Sequence, residues 1–233
     1  MPARHTIWSF YLAGSIAFAS AGRLSAQQAP AAPSAPPARF VVVLDAAHGG
    51  DDTGGRVAEN QVEKAFTLAM SVRLRSLLGA RGIQVVTTRE SDANIDPNRR
   101  AEIANHAQAQ ACLSLHASQS GSGVHLYASS LSPAQPARFA AWKTAQAAWV
   151  TRSLALEGVL NSALLQAGMS VTLGRTSLPA VDSMTCPAVA IEIAPELGSG
   201  KKVASGLDDP GYQARVATAL AAALVQWRTE AHP

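Results

Sequence analysis

Hydrophobic residues occur along this chain in two kinds of run. Short, mainly apolar runs predict β-strands at residues 40–44, 83–88, 111–116, 123–127 and 187–193, and the uninterrupted run at 40–44 predicts a strand buried on both faces. Longer runs with a period near 3.6 predict helices within residues 60–78, 96–108, 133–149, 153–166 and 210–229. Residues 169–186 are ambiguous, with 171–173 as a candidate edge strand and 175–185 as loop. This alternation predicts an α/β fold, a three-layer α/β/α sandwich with a mixed, mostly parallel sheet of about six strands.

The first 38 residues lack both patterns. Arg4 and His5 precede an apolar stretch at residues 7–21 that is short for a membrane span, and small residues follow it. We therefore predict a secretory signal peptide at residues 1–26, with an uncleaved membrane anchor as the alternative. Residues 27–38 are rich in Pro and Ala and predict an extended spacer. The folded domain is expected at residues 39–233, without stable insertion in a membrane once the signal is removed.

Composition and charge narrow the function classes. The hydrophobic content of 48% is ample for a core, and 15% charged residues argues against disorder. Without Arg4 and Arg23 of the predicted signal peptide, 17 basic residues face 16 acidic ones, so we expect no nucleic-acid partner. Cys112 and Cys186 lie in apolar runs, where we expect buried free thiols, or one bridge in an oxidising compartment.

Two histidines stand at the ends of predicted strands. His48 follows the first strand and precedes two glycines, and His116 ends the third strand. Because the carboxyl ends of parallel strands share one edge of a sheet, both are candidate metal ligands, or else hydrogen-bonded core histidines. His106 and His125 are interpreted as ordinary surface or strand residues.

Two carboxylates could complete a site. Glu63 is a candidate third ligand because catalytic zinc usually has three protein ligands and an open position, but its spacing from Asn60 fits a helix capping box equally well. Glu192 lies near the end of the last apolar strand, where an unpaired carboxylate would be costly. It is a candidate proton carrier, and a salt bridge to Arg100 or Arg175 is the alternative.

Seven short motifs, taken in order, resemble those of the zinc-dependent N-acetylmuramoyl-L-alanine amidases (the amidase type 3 catalytic domain family). They are V-L-D-A-A-H-G-G-D-D-T-G at 43–54, E-K at 63–64, T-R at 88–89 with Asp92, R-A-E-I-A-N at 100–105, S-L-H-A at 114–117, G-V-H-L-Y at 123–127 and P-A-V-A-I-E at 187–192. The resemblance implies Zn²⁺ as cofactor, with His48, Glu63 and His116 as ligands and Glu192 as the catalytic glutamate. The chain differs from the usual family motifs at three places. Ala46-Ala47 stands in place of Pro-Gly, and Ser118 stands in place of Asn. After the glutamate, Ile193-Ala194-Pro195-Glu196 stands in place of Gly-Phe.

The same resemblance implies a function. This function is hydrolysis of the amide between N-acetylmuramic acid and L-alanine in peptidoglycan, for wall remodelling or daughter-cell separation. The protein would be exported, to the periplasm or to the extracellular space. Peptidoglycan would be the substrate, a protein activator would be a further partner, and we expect a monomer. One alternative is a catalytically impaired wall-binding or regulatory protein that keeps the fold, and another is a zinc peptidase that cuts within the stem peptide.

Supporting roles follow for several polar residues near these motifs. We expect Arg89 to pair with Asp92, and Arg100 and Asn105 to brace the short helix beneath the site. Asp45 and Asp52 are expected to hold the His48 loop or to bind a ligand histidine from behind.

Overall fold

The computed structural model describes residues 39–136, 141–198, 200 and 202–231. The predicted signal peptide and spacer lie outside these residues. Within the described part of the chain, no helix has both the length and the apolar composition needed to cross a membrane.

Short strands and amphipathic helices alternate along the described chain. The strands are β1 (Val41–Ala46), β2 (Arg56–Ala58), β3 (Gln61–Val62), β4 (Gln84–Thr87), β5 (Ala111–Ala117), β6 (Val124–Ser129), β7 (Val171–Thr176), β8 (Ala188–Ile193), β9 (Glu196–Leu197) and β10 (Val203–Ser205). The helices are α1 (Glu63–Gly79), α2 (Pro97–His106), α3 (Val150–Gln166), α4 (Pro179–Asp182) and α5 (Pro210–Ala231), with a 3-10 helix at Trp142–Ala148.

Six strands form one sheet in the order β4-β1-β5-β8-β6-β7. Four of the five neighbouring pairs are parallel, and only β6 and β8 pair antiparallel. The prediction of a mixed, mostly parallel sheet of about six strands is confirmed. Because of the one reversal, β6 begins at the edge of the sheet where β5 and β8 end.

The two faces of the sheet pack against different helices. Alternate residues of β5 point to opposite sides, so Leu113 joins a core with side chains of α1, α3 and α5, whereas Cys112 joins a second core with side chains of α2 and α4. All six residues of β1 are buried, as the uninterrupted apolar run predicts for a central strand. The three-layer α/β/α sandwich is therefore confirmed.

Several local predictions were wrong. Helix α1 begins at Glu63 after Val62, and Asn60 does not cap it, because the backbone of residues 61–62 is extended as β3. Within residues 133–149 the structure has a 3-10 helix at Trp142–Ala148, which is interrupted at Thr144 by non-helical dihedral angles. The ambiguous segment contains β7, the predicted edge strand in a longer form, and the short α4.

The two cysteines form a disulfide bond, with their Cα atoms 6.2 Å apart. The expectation of free thiols was therefore wrong, and the single bridge named as the alternative is present. It links Cys112 in β5 to Cys186, two residues before β8. The sequence left this choice open, because the bridge depends on the pairing of β5 with β8, which brings together segments 74 residues apart in sequence.

Candidate metal centre

Three side chains from separate elements meet beyond the carboxyl ends of β1 and β5. They are His48, Glu63 and His116, called here the His-Glu-His cluster, and one ligand atom from each lies within 4.8 Å of the other two. Glu63 Oε2 is 3.1 Å from His48 Nε2, and Glu63 Oε1 is 3.0 Å from His116 Nδ1. Two imidazoles and one carboxylate are a donor set typical of catalytic zinc, so the residues present fit this ion.

The loop after β1 holds His48 in an uncommon backbone conformation. His48 has a φ of 62°, and Gly49 and Gly50 continue the turn with φ of 137° and 60°. Asp52 accepts a hydrogen bond of 2.8 Å from His48 Nδ1, which directs Nε2 toward Glu63. This contact is one of the two roles expected for Asp52. Hydrogen bonds to the Glu63 and Asp52 carboxylates raise the pKa of His48, against the opposing effect of burial.

Glu63 is buried and strongly biased toward its charged form. Burial would by itself raise its pKa, but hydrogen bonds from both histidines of the cluster outweigh this effect. The backbone amides of Gly55 (3.0 Å) and Ala117 (3.2 Å) also donate to the carboxylate, so the pKa of Glu63 lies well below its ordinary value. Among the described residues, the carboxylate bonds to these two amides and the two histidines and makes no hydrogen bond to Asn60, so the capping-box alternative was wrong.

Glycine at position 54 lets the loop approach Glu63 closely. Gly54 has a φ of 63°, and a Cβ atom there would lie 2.7 Å from both Glu63 Oε2 and His48 Cδ2. A side chain at this position would therefore displace part of the His-Glu-His cluster.

Glu192 lies in β8, directly beside His116 in the sheet register. Neighbouring strands are about 4.8 Å apart, so the two side chains share one face of the sheet at close range. Neither arginine that was considered as a salt-bridge partner binds Glu192: Arg100 binds Asp45, and Arg175 donates to the Ser129 and Leu131 carbonyls. The alternative of a salt bridge to Arg100 or Arg175 was therefore wrong.

His125 is the residue at this site that the sequence analysis missed. Its Nδ1 lies 3.0 Å from Glu192 Oε1, across the antiparallel pair of β6 and β8. The interpretation of His125 as an ordinary strand residue did not include this contact. The sequence indicated that His125 lies in a strand. It did not indicate that β6 runs antiparallel to β8, and this reversal places His125 at the same edge of the sheet as Glu192.

Two cavities flank His116. One, of about 310 Å³, lies between the His48 loop, α2 and α4, and the other, of about 280 Å³, lies along Tyr127, Thr176 and Glu192. Both are also lined by Leu178, in the segment before α4. The arrangement can therefore accept an extended molecule with its centre near His116.

Comparison with known proteins identifies the family. The family described as N-acetylmuramoyl-L-alanine amidase matches residues 42–226. The chain belongs to this family. The resemblance noted in the sequence is confirmed.

Among curated members of this amidase family, two matches cover one third of the chain. The chain is 33% identical over 90 residues to the germination-specific N-acetylmuramoyl-L-alanine amidase of Bacillus subtilis (strain 168), covering 38% of that protein. It is 42% identical over 77 residues to N-acetylmuramoyl-L-alanine amidase AmiA of Escherichia coli (strain K12), covering 27% of that protein. The matched part of this chain thus spans well under half the length of either relative.

Solved amidase structures have the same fold. The catalytic domain of CwlV from Bacillus (Paenibacillus) polymyxa var. colistinus is 25% identical, with a TM-score of 0.64 over 82% of this chain and 98% of that one. Ami1 from Mycobacterium smegmatis is 18% identical, with a TM-score of 0.65 over 82% and 97%. CwlD from Clostridioides difficile, in complex with the GerS lipoprotein, is 18% identical with a TM-score of 0.60 over 82% and 100%.

Two arginines hold the backbone at Ala46-Ala47, just before His48. Arg100 donates to the carbonyl of Ala46 and, over 2.7 Å, to that of His48. Arg89 donates to the carbonyls of both Ala46 and Ala47. These bonds hold the end of β1 and the start of the loop that carries His48.

The remaining polar residues near the site have structural partners. The expected pairing of Arg89 with Asp92 is not found. Asp92 instead accepts hydrogen bonds from Lys64 Nζ (2.7 Å) and from the amide of Gly50 (2.8 Å). Asn105 braces α2 through hydrogen bonds with Ser183 and Thr185, as expected. Glu196 pairs with Arg215 of α5.

Proposed function

We propose that this chain is a zinc-dependent N-acetylmuramoyl-L-alanine amidase. It hydrolyses the amide between the lactyl group of N-acetylmuramic acid and L-alanine in peptidoglycan. The observation that carries the proposal is the His-Glu-His cluster beside Glu192, in a chain that belongs to this amidase family.

In this proposal His48, Glu63 and His116 hold Zn²⁺. When bound there, the ion would polarise the amide carbonyl and make a water molecule more acidic. Asp52 keeps the proton of His48 on Nδ1, so that Nε2 can bind the metal. The Gly55 and Ala117 amides hold the Glu63 carboxylate in its charged form, which is the form that binds a cation.

Glu192 carries the proton. Its carboxylate accepts a proton from the attacking water as the water oxygen bonds to the carbonyl carbon. Glu192 then gives this proton to the amide nitrogen, and the carbon–nitrogen bond breaks. The products are a free carboxylic acid on the lactyl group and a free amine on L-alanine, so protons and electrons balance.

The two cavities suit a substrate with a sugar on one side of the amide and a peptide on the other. Both reach His116, and their combined volume is within the range of small-molecule sites. Placing the amide near His116 leaves one cavity for each arm.

Digestion of purified peptidoglycan, followed by mass spectrometry of the soluble products, tests the proposal. The zinc-loaded protein should release stem peptides with a free L-alanine amine, and a chelator should abolish this release. Glu192→Gln should bind zinc normally and lose activity by about 10²- to 10⁴-fold, whereas Glu102→Gln, on the exposed face of α2, should be unaffected. Products cut within the stem peptide would instead indicate a peptidase, and wall binding without any release would indicate the non-catalytic alternative.

We also propose that the protein is exported and has a protein activator. The Cys112–Cys186 disulfide supports export, because disulfides persist in oxidising compartments. The GerS lipoprotein bound to CwlD supports the activator. Cell fractionation with sequencing of the mature amino terminus tests export, and a mature protein found with reduced cysteines in the cytoplasm would contradict it.

A further inference from the structure

Glu192 and His125 face each other across the only antiparallel pair of the six-stranded sheet. Their side chains are 33% and 13% exposed, and His125 Nδ1 lies 3.0 Å from Glu192 Oε1. Among the described residues, this is the ion pair and the side-chain hydrogen bond that Glu192 makes. The carboxylate that is proposed to carry the proton is thus bound on one oxygen by one imidazole.

The ring of His125 is held in place on its other sides. A Cβ atom on Gly121 would lie 2.3 Å from His125 Cε1 and 2.8 Å from Nε2, so the ring fits against a backbone that only glycine leaves open. Tyr127, two residues along on the same face of β6, contacts the ring edge-on with centroids 6.4 Å apart. The strand, the glycine and the tyrosine together restrict rotation of the imidazole.

The hydrogen bond between His125 and Glu192 has a defined direction. A carboxylate only accepts hydrogen bonds, so His125 Nδ1 carries the proton and donates it. The bond occupies Oε1 of Glu192 and leaves Oε2 without a partner among the described side chains. One oxygen of the carboxylate is therefore an anchor, and the other is available to react.

Building on the amidase function proposed above, we propose that His125 is a positioning residue for Glu192. It holds the carboxylate by Oε1, so that Oε2 faces the cavity shared with His116 and takes the proton from water there. His125 itself touches neither the substrate nor the metal ligands. Loss of this anchor lets the carboxylate rotate, which lowers the rate of proton transfer but leaves substrate binding and zinc binding in place.

Steady-state kinetics on defined muropeptides test this role. His125→Leu should lower kcat by about 10- to 100-fold with KM within about twofold and zinc content unchanged. His106→Leu is the matched control. His106 lies in the last turn of α2 and its Nδ1 bonds the backbone carbonyl of Glu102, so the kcat of this variant should equal that of the wild type.

A second pair of variants separates positioning from packing. His125→Asn places an amide donor near the position of Nδ1, whereas His125→Gln places it one methylene farther along. Positioning predicts that Asn restores kcat to within about fivefold of the wild type and that Gln stays at least about tenfold lower. Both amides are polar and of similar size, so this comparison holds even where the leucine variant does not fold.

Three outcomes overturn one claim or the other. Equal kcat for Asn and Gln, or a folded leucine variant with wild-type kcat, would show that His125 only fills space, with the amidase function intact. A wild-type protein that binds zinc but releases no stem peptide would overturn the proposed function itself.

Discussion

Arg100 and Asp45 form an ion pair beneath His48 in which the side chains are only 7% and 2% exposed. Arg100 Nη1 lies 2.7 Å from Asp45 Oδ1, and Thr88 and Ser114 donate to the same carboxylate. The pair thus joins α2, β1 and β5 directly under the candidate metal centre. Its loss would leave a buried carboxylate without its cation.

Arg100→Met should therefore destabilise the protein strongly. Removing one member of a buried ion pair typically costs about 3–5 kcal/mol, because the remaining charge keeps its desolvation penalty. Urea unfolding measures the change. Arg99→Met is the control, since Arg99 makes an exposed pair with Glu102 that should contribute less than about 1 kcal/mol. Equal losses for the two variants would contradict a special role for the buried pair.

Gly54→Ala should weaken zinc binding. The new Cβ atom would lie 2.7 Å from Glu63 Oε2, in a backbone conformation that alanine rarely adopts. We expect the zinc dissociation constant to rise by about 10- to 100-fold, measured by competition with a chelator. Gly55→Ala is the control, because its Cβ atom would lie 3.6 Å from the same oxygen, which is ordinary contact. The prediction is wrong if both variants bind zinc like the wild type.

Glu157 should make stability depend on pH. Burial raises its pKa to about 7, and one oxygen, Oε1, is buried without a hydrogen-bond partner among the described residues. Because the folded-state pKa lies above the ordinary one, the contribution of Glu157 to stability is complete below about pH 4.5. It is lost as the pH rises through 7.

Glu157→Gln should accordingly be more stable than the wild type by about 1–3 kcal/mol at pH 8 and about equally stable at pH 4. Denaturant unfolding at both pH values measures this difference. Glu230→Gln, an exposed helical control, should show no such dependence. A gain that is the same at pH 4 and pH 8 would argue against titration of Glu157.

The disulfide should stabilise the protein substantially. It closes a loop between residues 74 apart, for which chain entropy predicts about 4 kcal/mol. The double variant Cys112→Ala, Cys186→Ala should lose most of this free energy of unfolding, and a reducing agent should destabilise only the wild type. Destabilisation of the double variant by the reductant would point to another cause.

Local sequence predicted the elements well where one feature determined them. Asp96 caps α2 with its side chain and Pro97 opens the helix, as their order in the sequence indicates. The strands β1, β5 and β8 follow from short, mainly apolar runs. In each case the signal lies within a few residues.

Features that depend on distant pairing could not be predicted in the same way. The disulfide and the contact of His125 with Glu192 both depend on where β8 enters the sheet. The start of α1 was misplaced because the backbone of β3 overrides the capping preference of Asn60. The ligand roles of His48, Glu63 and His116 stay a prediction, supported by their convergence.

The position of β8 has a consequence for the order in which this protein folds. It lies between β5 and β6, which precede it in the chain by about 60 residues and more, so the middle of the sheet stays open until β8 docks. Until then β5 and β6 each present an unpaired edge, a template for association with other chains. The step that closes this gap also delivers Glu192. A chain arrested before this step would therefore hold the His-Glu-His cluster without Glu192, the proposed proton carrier, so a newly made molecule gains the proposed reactive centre only on sheet closure.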